Sequence, residues 1–418
     1  MQQGRTVAGR AVLLCAALAL GGCTFSDALK HDEIWSVRPG KSGSARNVLF
    51  ATDHDLDVTA QYHVGRHWAA VTTCGVASVT AFAQVSATLP VFRPCVAAPG
   101  ATSPPASAAG AAQERAAPMS LFADDVAAEA AARGCHGMLL YVHGYNTMFR
   151  TSLLHSGQIA NDVHWPCAMA LFSWSSEGQF DRYAADIERS AYSVPELISL
   201  LRAVSEKGLQ EDILAHSMGA RIVLAAAAAL EPYCKARGTR IVRELILAAP
   251  DIGVEHYNDD ALHLLSRAAA CVGRVTIYAS DNDMILIASE GVHGGIPRAG
   301  RLPEQNLQYA ACEALDADIV DASLAPGDRL GHGYFINSYE MMDDITRTLA
   351  GETLAARSAG ARATLDPRGN VAVPCTDMTG QPTVKTAARY VLRVAEDRRP
   401  SLGTRLLRHL IPLVIPVQ

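Results

Sequence analysis

The central part of the chain alternates between two hydrophobic patterns, one typical of buried strands and one typical of helices. Short apolar runs, such as Met138–Val142 and Glu244–Pro250, are separated by longer segments with apolar residues at helical spacing. This alternation is the signature of a parallel sheet with helices on both faces. Earlier β-branched runs at Asn47–Thr52 and Trp68–Thr73 predict leading antiparallel strands. We therefore predict an α/β domain with a mostly parallel sheet over residues 47–351.

Other segments depart from this pattern. Residues 97–118 are rich in Ala, Pro, Ser and Gly and predict a disordered surface loop within the domain. Pro195 interrupts a long helical segment and should kink or restart that helix. Residues 352–418 form a C-terminal extension, in which weaker β patterns at 364–373 and 383–394 predict a small hairpin.

One stretch of the central region has the pattern of a catalytic turn. Ile213–Ala215 reads as the end of a buried strand, and Ala220–Leu230 reads as a helix. The sharp turn between them contains Ser217. A serine at a strand–turn–helix corner is held on strained backbone with its hydroxyl exposed, and the helix N-terminus favours developing negative charge. Ala215 stands where the usual G-x-S-x-G pattern has its first glycine, so Ser217 is our candidate nucleophile.

The partners of such a serine follow it in a fixed chain order, first an acid and then a histidine, each after a strand. His332 follows the short strand pattern Ile319–Ser323 and a Pro/Gly loop, and it is the candidate general base. The run Arg274–Ser280 is another strand pattern, and acidic residues follow it. The histidine would take the proton of Ser217, and the acid would fix its tautomer and stabilise the imidazolium.

Three carboxylates compete for the role of the acid. Asp283 and Asp281 both follow the strand pattern that ends at Ser280, whereas Asp251 closes the preceding strand. We expect Asp251 to be a helix cap or a carboxylate that lines the pocket. Asp251 and Asp281 stay open as alternatives.

A hole for the oxyanion is the fourth component that the chemistry requires. The backbone N–H of the residue after the nucleophile, Met218, would supply one donor. A strand that ends in His143-Gly144 is the usual site of the second, and we expect Gly144 to let the backbone of Tyr145 or Asn146 point its N–H inward.

These segments resemble a known family, the bacterial α/β-hydrolases of the DUF900 type. The resemblance covers roughly residues 47–351. It implies an α/β-hydrolase fold and a hydrolase scaffold of esterase or lipase type, without a particular substrate. It also implies the triad Ser217, Asp283 and His332, because the acid in these proteins lies in an Asn-Asp pair ahead of an apolar run. The motifs that carry it are Tyr141-Val-His-Gly-Tyr-Asn146, Phe172-Ser-Trp-Ser-Ser-Glu-Gly178, Ala215-His-Ser-Met-Gly219, Leu247-Ala-Ala-Pro-Asp-Ile252, Tyr278-Ala-Ser-Asp-Asn-Asp283 and Gly331-His-Gly-Tyr-Phe335.

Composition and motif spacing argue against several other classes of function. The net charge is −6, and basic residues do not cluster before the C-terminus, so we expect no nucleic-acid partner. No G-x-G-x-x-G or P-loop pattern is present, and His63 and His67 lack the spacing of a known metal motif. We therefore expect no cofactor and no metal.

The first residues predict export and lipidation. Arg5 and Arg10 precede an apolar run, Ala11–Leu20, that has the length of a signal-peptide core. The run ends in Gly21-Gly22-Cys23, which matches the cleavage site of bacterial lipoproteins. We predict a signal peptide over residues 1–22, a lipidated Cys23 and a tether over residues 23–46. Acyl chains on Cys23 would anchor the protein to a membrane of the bacterial envelope. The residue after Cys23 is Thr24 and not an Asp, which would signal retention in the inner membrane. We therefore expect the protein in the outer membrane, facing the periplasm or the exterior.

Eight of the ten cysteines remain after Cys15 and Cys23, and an even set in an exported chain suggests disulfides. Neighbouring parallel strands begin at the same edge of a sheet, so cysteines just before such strands can meet there. This argument pairs the cysteines that precede predicted strands, Cys135–Cys167 and Cys234–Cys271. We add Cys74–Cys95 as a third pair and Cys312–Cys375 by elimination.

The sequence as a whole predicts a serine hydrolase of the bacterial envelope that cleaves a small-molecule or lipid ester through an acyl-enzyme intermediate. An acyltransferase would use the same residues, with an alcohol in place of water. The alternative from another class is a catalytically idle α/β-hydrolase scaffold that acts as a binding or assembly lipoprotein. Neither the acyl-chain preference nor the oligomeric state follows from the sequence.

Overall fold

In the part of the chain that the structure describes, the fold is built on one mixed sheet of twelve strands with helices on both faces. The computed structural model describes residues 45–82, 84–96, 119–254, 261–301, 306, 317–328, 330–376 and 381–400. The strands are β1 (Ala45–Leu56), β2 (Val64–Phe82), β3 (Gln84–Ala87), β4 (Val91–Arg93), β5 (Gly137–Val142), β6 (Ala168–Ser173), β7 (Gln210–His216), β8 (Val242–Ala248), β9 (Val272–Ala279), β10 (Ala317–Asp321), β11 (Leu365–Thr376) and β12 (Pro382–Leu392).

Parallel pairing dominates the centre of the sheet, as the alternating pattern predicted. The spatial order is β11-β12-β10-β9-β8-β7-β5-β6-β1-β2-β3, with β4 paired to β2. Pairs from β12 through to β1 are parallel, whereas β1–β2, β2–β3, β2–β4 and β11–β12 are antiparallel. The carboxyl ends of β7, β8, β9 and β10 therefore lie side by side at one edge, which is where open α/β sheets place their sites.

Side chains of the buried strands alternate between two apolar layers. On β5, Met138 and Leu140 belong to one layer, and Leu139 and Tyr141 belong to the other. Because both layers need a cover of apolar side chains, helices pack on both faces. The helices are α1 (Ser120–Ala132), α2 (Phe149–Asp162), α3 (Tyr183–Tyr192), α4 (Val194–Glu206), α5 (Met218–Ala229), α6 (Glu231–Arg237), α7 (Ala261–Ala268), α8 (Met284–Val292), α9 (Tyr334–Asn337), α10 (Tyr339–Leu349) and α11 (Leu354–Arg357).

Pro195 separates α3 from α4, as its lack of an N–H predicted. It occupies the first turn of α4, where a proline removes no intrahelical hydrogen bond. The long helical segment is therefore two helices that meet at Ser193.

The hairpin of the C-terminal extension belongs to the main sheet. Strand β12 pairs in parallel with β10, with Val320 opposite Tyr390 and Asp321 opposite Val391. The predicted hairpin is present, and the apolar side chains of Leu365 and Leu392 belong to the same core layer as Leu139 and Tyr141 of β5. The predicted signal peptide with Cys23, the loop 97–118 and the tail 401–418 lie outside the described residues.

Three of the predicted disulfides are present. Cys135 is bonded to Cys167, Cys234 to Cys271 and Cys74 to Cys95. Cys375 is also disulfide-bonded, but the predicted fourth pairing involves Cys312, which lies outside the described residues. Among the helices of the described ranges, none has the length and apolar character needed to cross a membrane.

Candidate active site

Ser217 lies at a sharp corner between β7 and α5, at the carboxyl edge of the sheet. Its φ of 52° and ψ of −124° lie in a backbone region that residues other than glycine rarely adopt. The neighbouring strand end fixes this conformation from two sides. The N–H of Ser217 donates to the carbonyl of Ala248 at 3.0 Å, and the N–H of Asp251 donates to the carbonyl of Ser217 at 3.1 Å.

Two glycines allow the backbone to pack tightly around this corner. A Cβ on Gly219 would lie 2.4 Å from the carbonyl oxygen of His143. A Cβ on Gly144 would lie 2.7 Å from the Cβ of Ser217. We expected Gly144 to supply conformational freedom, but its φ is not in the left-handed region. The position requires glycine because a side chain has no space there.

His332 and Asp283 form a hydrogen-bonded pair at the same edge. The Nδ1–H of His332 donates to Oδ2 of Asp283 at 2.7 Å, and both side chains are almost completely buried. The other oxygen of Asp283 accepts the N–H of Leu286 at 3.0 Å and caps the start of α8. One carboxylate thus holds both the imidazole ring and the first turn of the helix.

The ring of His332 lies beside the serine corner. Its centroid is 4.7 Å from that of His216, the residue that precedes Ser217 in the chain. His216 in turn stacks on Phe335 at 4.1 Å. The structure therefore brings Ser217, Asp283 and His332, which are far apart in sequence, to the same edge of the sheet.

Nearby carboxylates control the charge state of His332. Burial by itself would lower the pKa of this histidine, but the charge and hydrogen bond of Asp283 oppose that effect. With further contributions from Asp328 and Asp251, the net result is a pKa above the ordinary histidine value. The pKa of His216 lies far below that value, mainly because the ring is buried.

Asp251 is committed to a separate buried network. It forms an ion pair with Arg298 at 2.7 Å, and both side chains are almost fully buried. Its carboxylate also accepts the hydroxyls of Tyr183 and Ser289, each at 2.6 Å. Burial raises the pKa of Asp251, but Arg298 and the two hydroxyls outweigh it, so the pKa lies below its usual value. We expected a helix cap or a pocket-lining carboxylate. In the structure, the carboxylate of Asp251 connects its own segment to those of Arg298, Tyr183 and Ser289.

Asp281, the other alternative acid, sits at the turn after β9. Its backbone N–H donates to the hydroxyl of Ser323 at 3.0 Å. Asn282 donates from its side chain to the carbonyl of the same serine at 2.6 Å. These bonds tie the turn after β9 to the end of β10.

The loop after β5 lies over the serine corner. Gly144 contacts Ser217, and the ring of Tyr145 packs edge-to-face on Tyr183 at 5.1 Å. Asn146 has a left-handed φ of 54°, and its N–H is directed at Oδ2 of Asp186 at 3.4 Å. Burial raises the pKa of Asp186 to about 6. Since the amide of Asn146 is turned toward this carboxylate, we keep Tyr145 as the predicted second donor.

His143 has a structural position in this loop. It stacks on Trp174 at 5.2 Å, and Trp174 donates its indole N–H to the carbonyl of His143 at 2.7 Å. Burial lowers the pKa of His143 to about 4, so the ring is neutral at physiological pH. Within the described ranges, no cluster of three His, Cys, Asp or Glu side chains could hold a metal ion.

Sequence reasoning missed Asp328. Its side chain contacts the backbone of residues 330–333, the segment that contains His332 and that we call the histidine loop. Its carboxylate accepts the backbone N–H groups of Leu330, His332 and Gly333 at 3.0, 3.1 and 2.8 Å. The signal was present as an aspartate just ahead of the Gly331-His332-Gly333 turn, since Asp side chains commonly bond the backbone a few residues on.

A cavity of about 510 Å³ lies at the opposite edge of the sheet. Gly137, Gln210 and Arg243, which line it, stand at or near the amino ends of β5, β7 and β8. It is therefore separated from the serine corner by the length of the strands.

Comparison with solved structures finds proteins of low similarity to this chain. An α/β-superfamily protein from Xanthomonas campestris pv. campestris has 16% identity and a TM-score of 0.32, over 52% of this chain and 99% of the other. The Fe-lacking apo form of ESTFA has 10% identity and a TM-score of 0.36, over 81% and 96%. An esterase from Pyrobaculum calidifontis has 10% identity and a TM-score of 0.33, over 83% and 98%. No curated protein matches the chain.

The family model described as "Alpha/beta hydrolase of unknown function (DUF900)" matches residues 122–352, which is more than half of the chain. The matched range includes the serine corner, the acidic turn after β9 and the histidine loop. The resemblance noted in the sequence is confirmed, and the chain belongs to the DUF900 family of α/β-hydrolases.

Proposed function

We propose that this protein is a serine hydrolase that cleaves a carboxylic ester through an acyl-enzyme at Ser217. The observation that carries the proposal is the buried hydrogen bond from His332 to Asp283, placed beside a strained serine at the carboxyl edge of the sheet. A base oriented by a carboxylate next to such a serine is the arrangement that activates a hydroxyl for attack.

In the first step, Oγ of Ser217 attacks the carbonyl carbon of the ester. Nε2 of His332 takes the serine proton, and Asp283 stabilises the imidazolium that forms. The carbonyl π electrons move to oxygen and give a tetrahedral oxyanion. When the oxyanion collapses, the bond to the alcohol oxygen breaks, and His332 returns its proton to the leaving alcohol.

The oxyanion is stabilised by backbone N–H groups. Met218 is the first residue of α5, where the N–H groups have no acceptor within the helix. Tyr145, in the loop that covers Ser217, is the second donor. Loss of one such donor lowers kcat by about 10²–10³-fold in related chemistry.

Water completes the cycle by the same route. His332 takes a proton from water as the water oxygen attacks the acyl carbonyl. The acyl–Ser217 bond breaks, and the proton passes to Oγ, which releases the acid and regenerates the serine.

The decisive experiment is covalent labelling with a fluorophosphonate probe. Wild-type protein should label at Ser217, and the label should be absent in Ser217→Ala. Ser156→Ala is a control, because Ser156 is another buried serine, and its hydroxyl donates to the carbonyl of Ser152 within α2. Hydrolysis of 4-nitrophenyl esters of increasing chain length then gives the acyl preference. A folded wild-type protein that neither labels nor hydrolyses any ester would leave only the idle-scaffold alternative.

We also propose that the enzyme acts in the bacterial envelope, anchored through lipid on Cys23. The three disulfides between described residues support an oxidising compartment. Metabolic labelling with an alkyne fatty acid should mark wild-type protein and not Cys23→Ser. Equal labelling of both forms, or of neither, would contradict the anchor and leave the chemistry at Ser217 untouched.

A further inference from the structure

We propose that Asp328 is a positioning residue that fixes the loop in which the catalytic histidine, His332, lies. The inference rests on the proposed function, because it concerns how His332 is held for proton transfer. Asp328 acts through the backbone of the histidine loop and through its charge, without contact with the reacting atoms.

Hydrogen bonding provides the first argument. Oδ1 of Asp328 accepts the N–H groups of Leu330 and His332, and Oδ2 accepts that of Gly333. The carbonyl of Asp328 also accepts the N–H of Gly331 at 3.0 Å. The backbone on both sides of the histidine is therefore wrapped around one carboxylate. The carbonyl of Leu330 accepts the N–H of Met284 at 2.9 Å, so the loop is also fixed to the residue after Asp283.

The two glycines that flank His332 provide the second argument. A Cβ on Gly333 would lie 2.7 Å from Oδ2 of Asp328 and 2.9 Å from Nδ2 of Asn337. Gly331 has a φ of 70°, in the left-handed region that glycine adopts without strain. Both glycines are therefore explained by the need to fold the backbone closely around the Asp328 carboxylate.

Charge provides the third argument. The groups that act on the His332 imidazole are Asp283 at Nδ1, Asp328 under the loop, Asp251 and the neutral ring of His216. Asp328 is itself buried, which raises the pKa of its carboxyl, while His332 and the two backbone N–H groups of His332 and Gly333 oppose that rise. A negative charge here favours the imidazolium that forms during the reaction.

The test compares Asp328→Asn with Asp328→Glu. Asparagine removes the charge and turns its amide NH2, which cannot accept a hydrogen bond, toward one of the backbone N–H groups, so kcat should fall by about 10- to 100-fold with little change in KM. The pKa of His332, followed by NMR of histidine-labelled protein, should fall. Glutamate keeps the charge and moves the carboxylate, so kcat should fall while the pKa of His332 stays raised. The low-field proton signal of the bond to Asp283 should weaken in both.

Asp212→Asn is the matched control. Asp212 also accepts a backbone N–H, from Glu244 at 3.2 Å, and pairs with Arg243, but it lies near the amino ends of the strands, away from the histidine loop. It should leave the NMR signals of His332 as they are in the wild type.

An unchanged pKa and an unchanged low-field proton in a folded Asp328→Asn protein would overturn the inference. If that variant does not fold, an unchanged kcat and low-field proton in Asp328→Glu would do so. The NMR readout does not depend on turnover. A wild type that hydrolyses no ester but shows the expected shift would defeat the proposed function and leave the role of Asp328 in place.

Discussion

The Nδ1–H of His332 donates a 2.7 Å hydrogen bond to Oδ2 of Asp283, while Oδ1 of the same carboxylate caps α8. The carboxylate of Asp283 is therefore fixed by the first turn of α8, and it fixes the orientation of the His332 imidazole. The imidazole cannot rotate without breaking a buried, charge-assisted bond. In the proposed mechanism, Nε2 is the nitrogen that takes the proton of Ser217.

Asp283→Asn should abolish most of the activity and leave the fold intact. The amide cannot stabilise the imidazolium and favours the wrong tautomer, so kcat should fall by about 10⁴-fold. Asparagine is as good an N-cap as aspartate, so the melting temperature should stay close to that of the wild type. Ester hydrolysis and a thermal melt provide both readouts. Asp281→Asn, two residues away, should retain its activity, and loss of activity there would reverse the assignment of the acid.

Asp251→Asn should instead destabilise the protein. The substitution leaves the buried Arg298 without its counter-charge, which costs about 3–5 kcal/mol of unfolding free energy in comparable pairs. Urea denaturation measures this loss. The double variant Asp251→Asn with Arg298→Met should recover part of it, since no unpaired charge remains. If stability is unchanged and only kcat falls, Asp251 has a catalytic role that its contacts do not suggest.

The pH dependence of kcat/KM should have an acid limb set by His332. The histidine must be neutral to accept the proton of Ser217, so activity should fall as the pH falls through its pKa. Since neighbouring carboxylates raise this pKa, half-maximal activity should occur above the ordinary histidine value of about 6.5. The same raised pKa stabilises the fold below that value, and this contribution is lost as the pH rises through the pKa. A midpoint below 6.5 would contradict the proposed charge environment.

Gly144→Ala should inactivate the enzyme through steric conflict. The new methyl group would lie 2.7 Å from the Cβ of Ser217 and 2.9 Å from Nδ1 of His216, so the covering loop must move away from the nucleophile. A displacement of this size can lower kcat by about 10²-fold. Gly291→Ala is the control, because a Cβ there meets nothing within 4 Å and lies in a helix. A thermal melt of both variants separates displacement of the loop from loss of the fold.

Local sequence patterns were sufficient for the serine corner and for the order of strands along the chain. The apolar run before Ser217 predicts a strand, and the Ala-rich segment after it predicts a helix. Both predictions are possible because burial imposes a characteristic spacing of apolar residues on each type of element. The pairings Cys135–Cys167 and Cys234–Cys271 also followed, since parallel strands begin at the same edge. The likeness to the DUF900 family narrowed the acid to Asp283.

The C-terminal hairpin shows where local pattern is not enough. The residue pattern of β11 and β12 predicts two strands, but it does not show which other strand they pair with. The pairing of β12 with β10 depends on the edge strand that the rest of the fold leaves available. The same limit applies to Gly144, whose role depends on how closely another segment approaches it.

The sequence by itself determined which elements form, in what order they follow one another, and which residue types could perform acyl transfer. The tertiary structure alone decided that Asp283 bonds His332 and that Asp251 forms the ion pair with Arg298. It also decided that the carboxylate of Asp328 accepts backbone N–H groups of the histidine loop. The physical reason is that periodicity and turn chemistry act over a few residues, whereas hydrogen bonds such as that of Asp283 with His332 join residues 49 positions apart. Such contacts exist only once the sheet has placed its strand ends side by side.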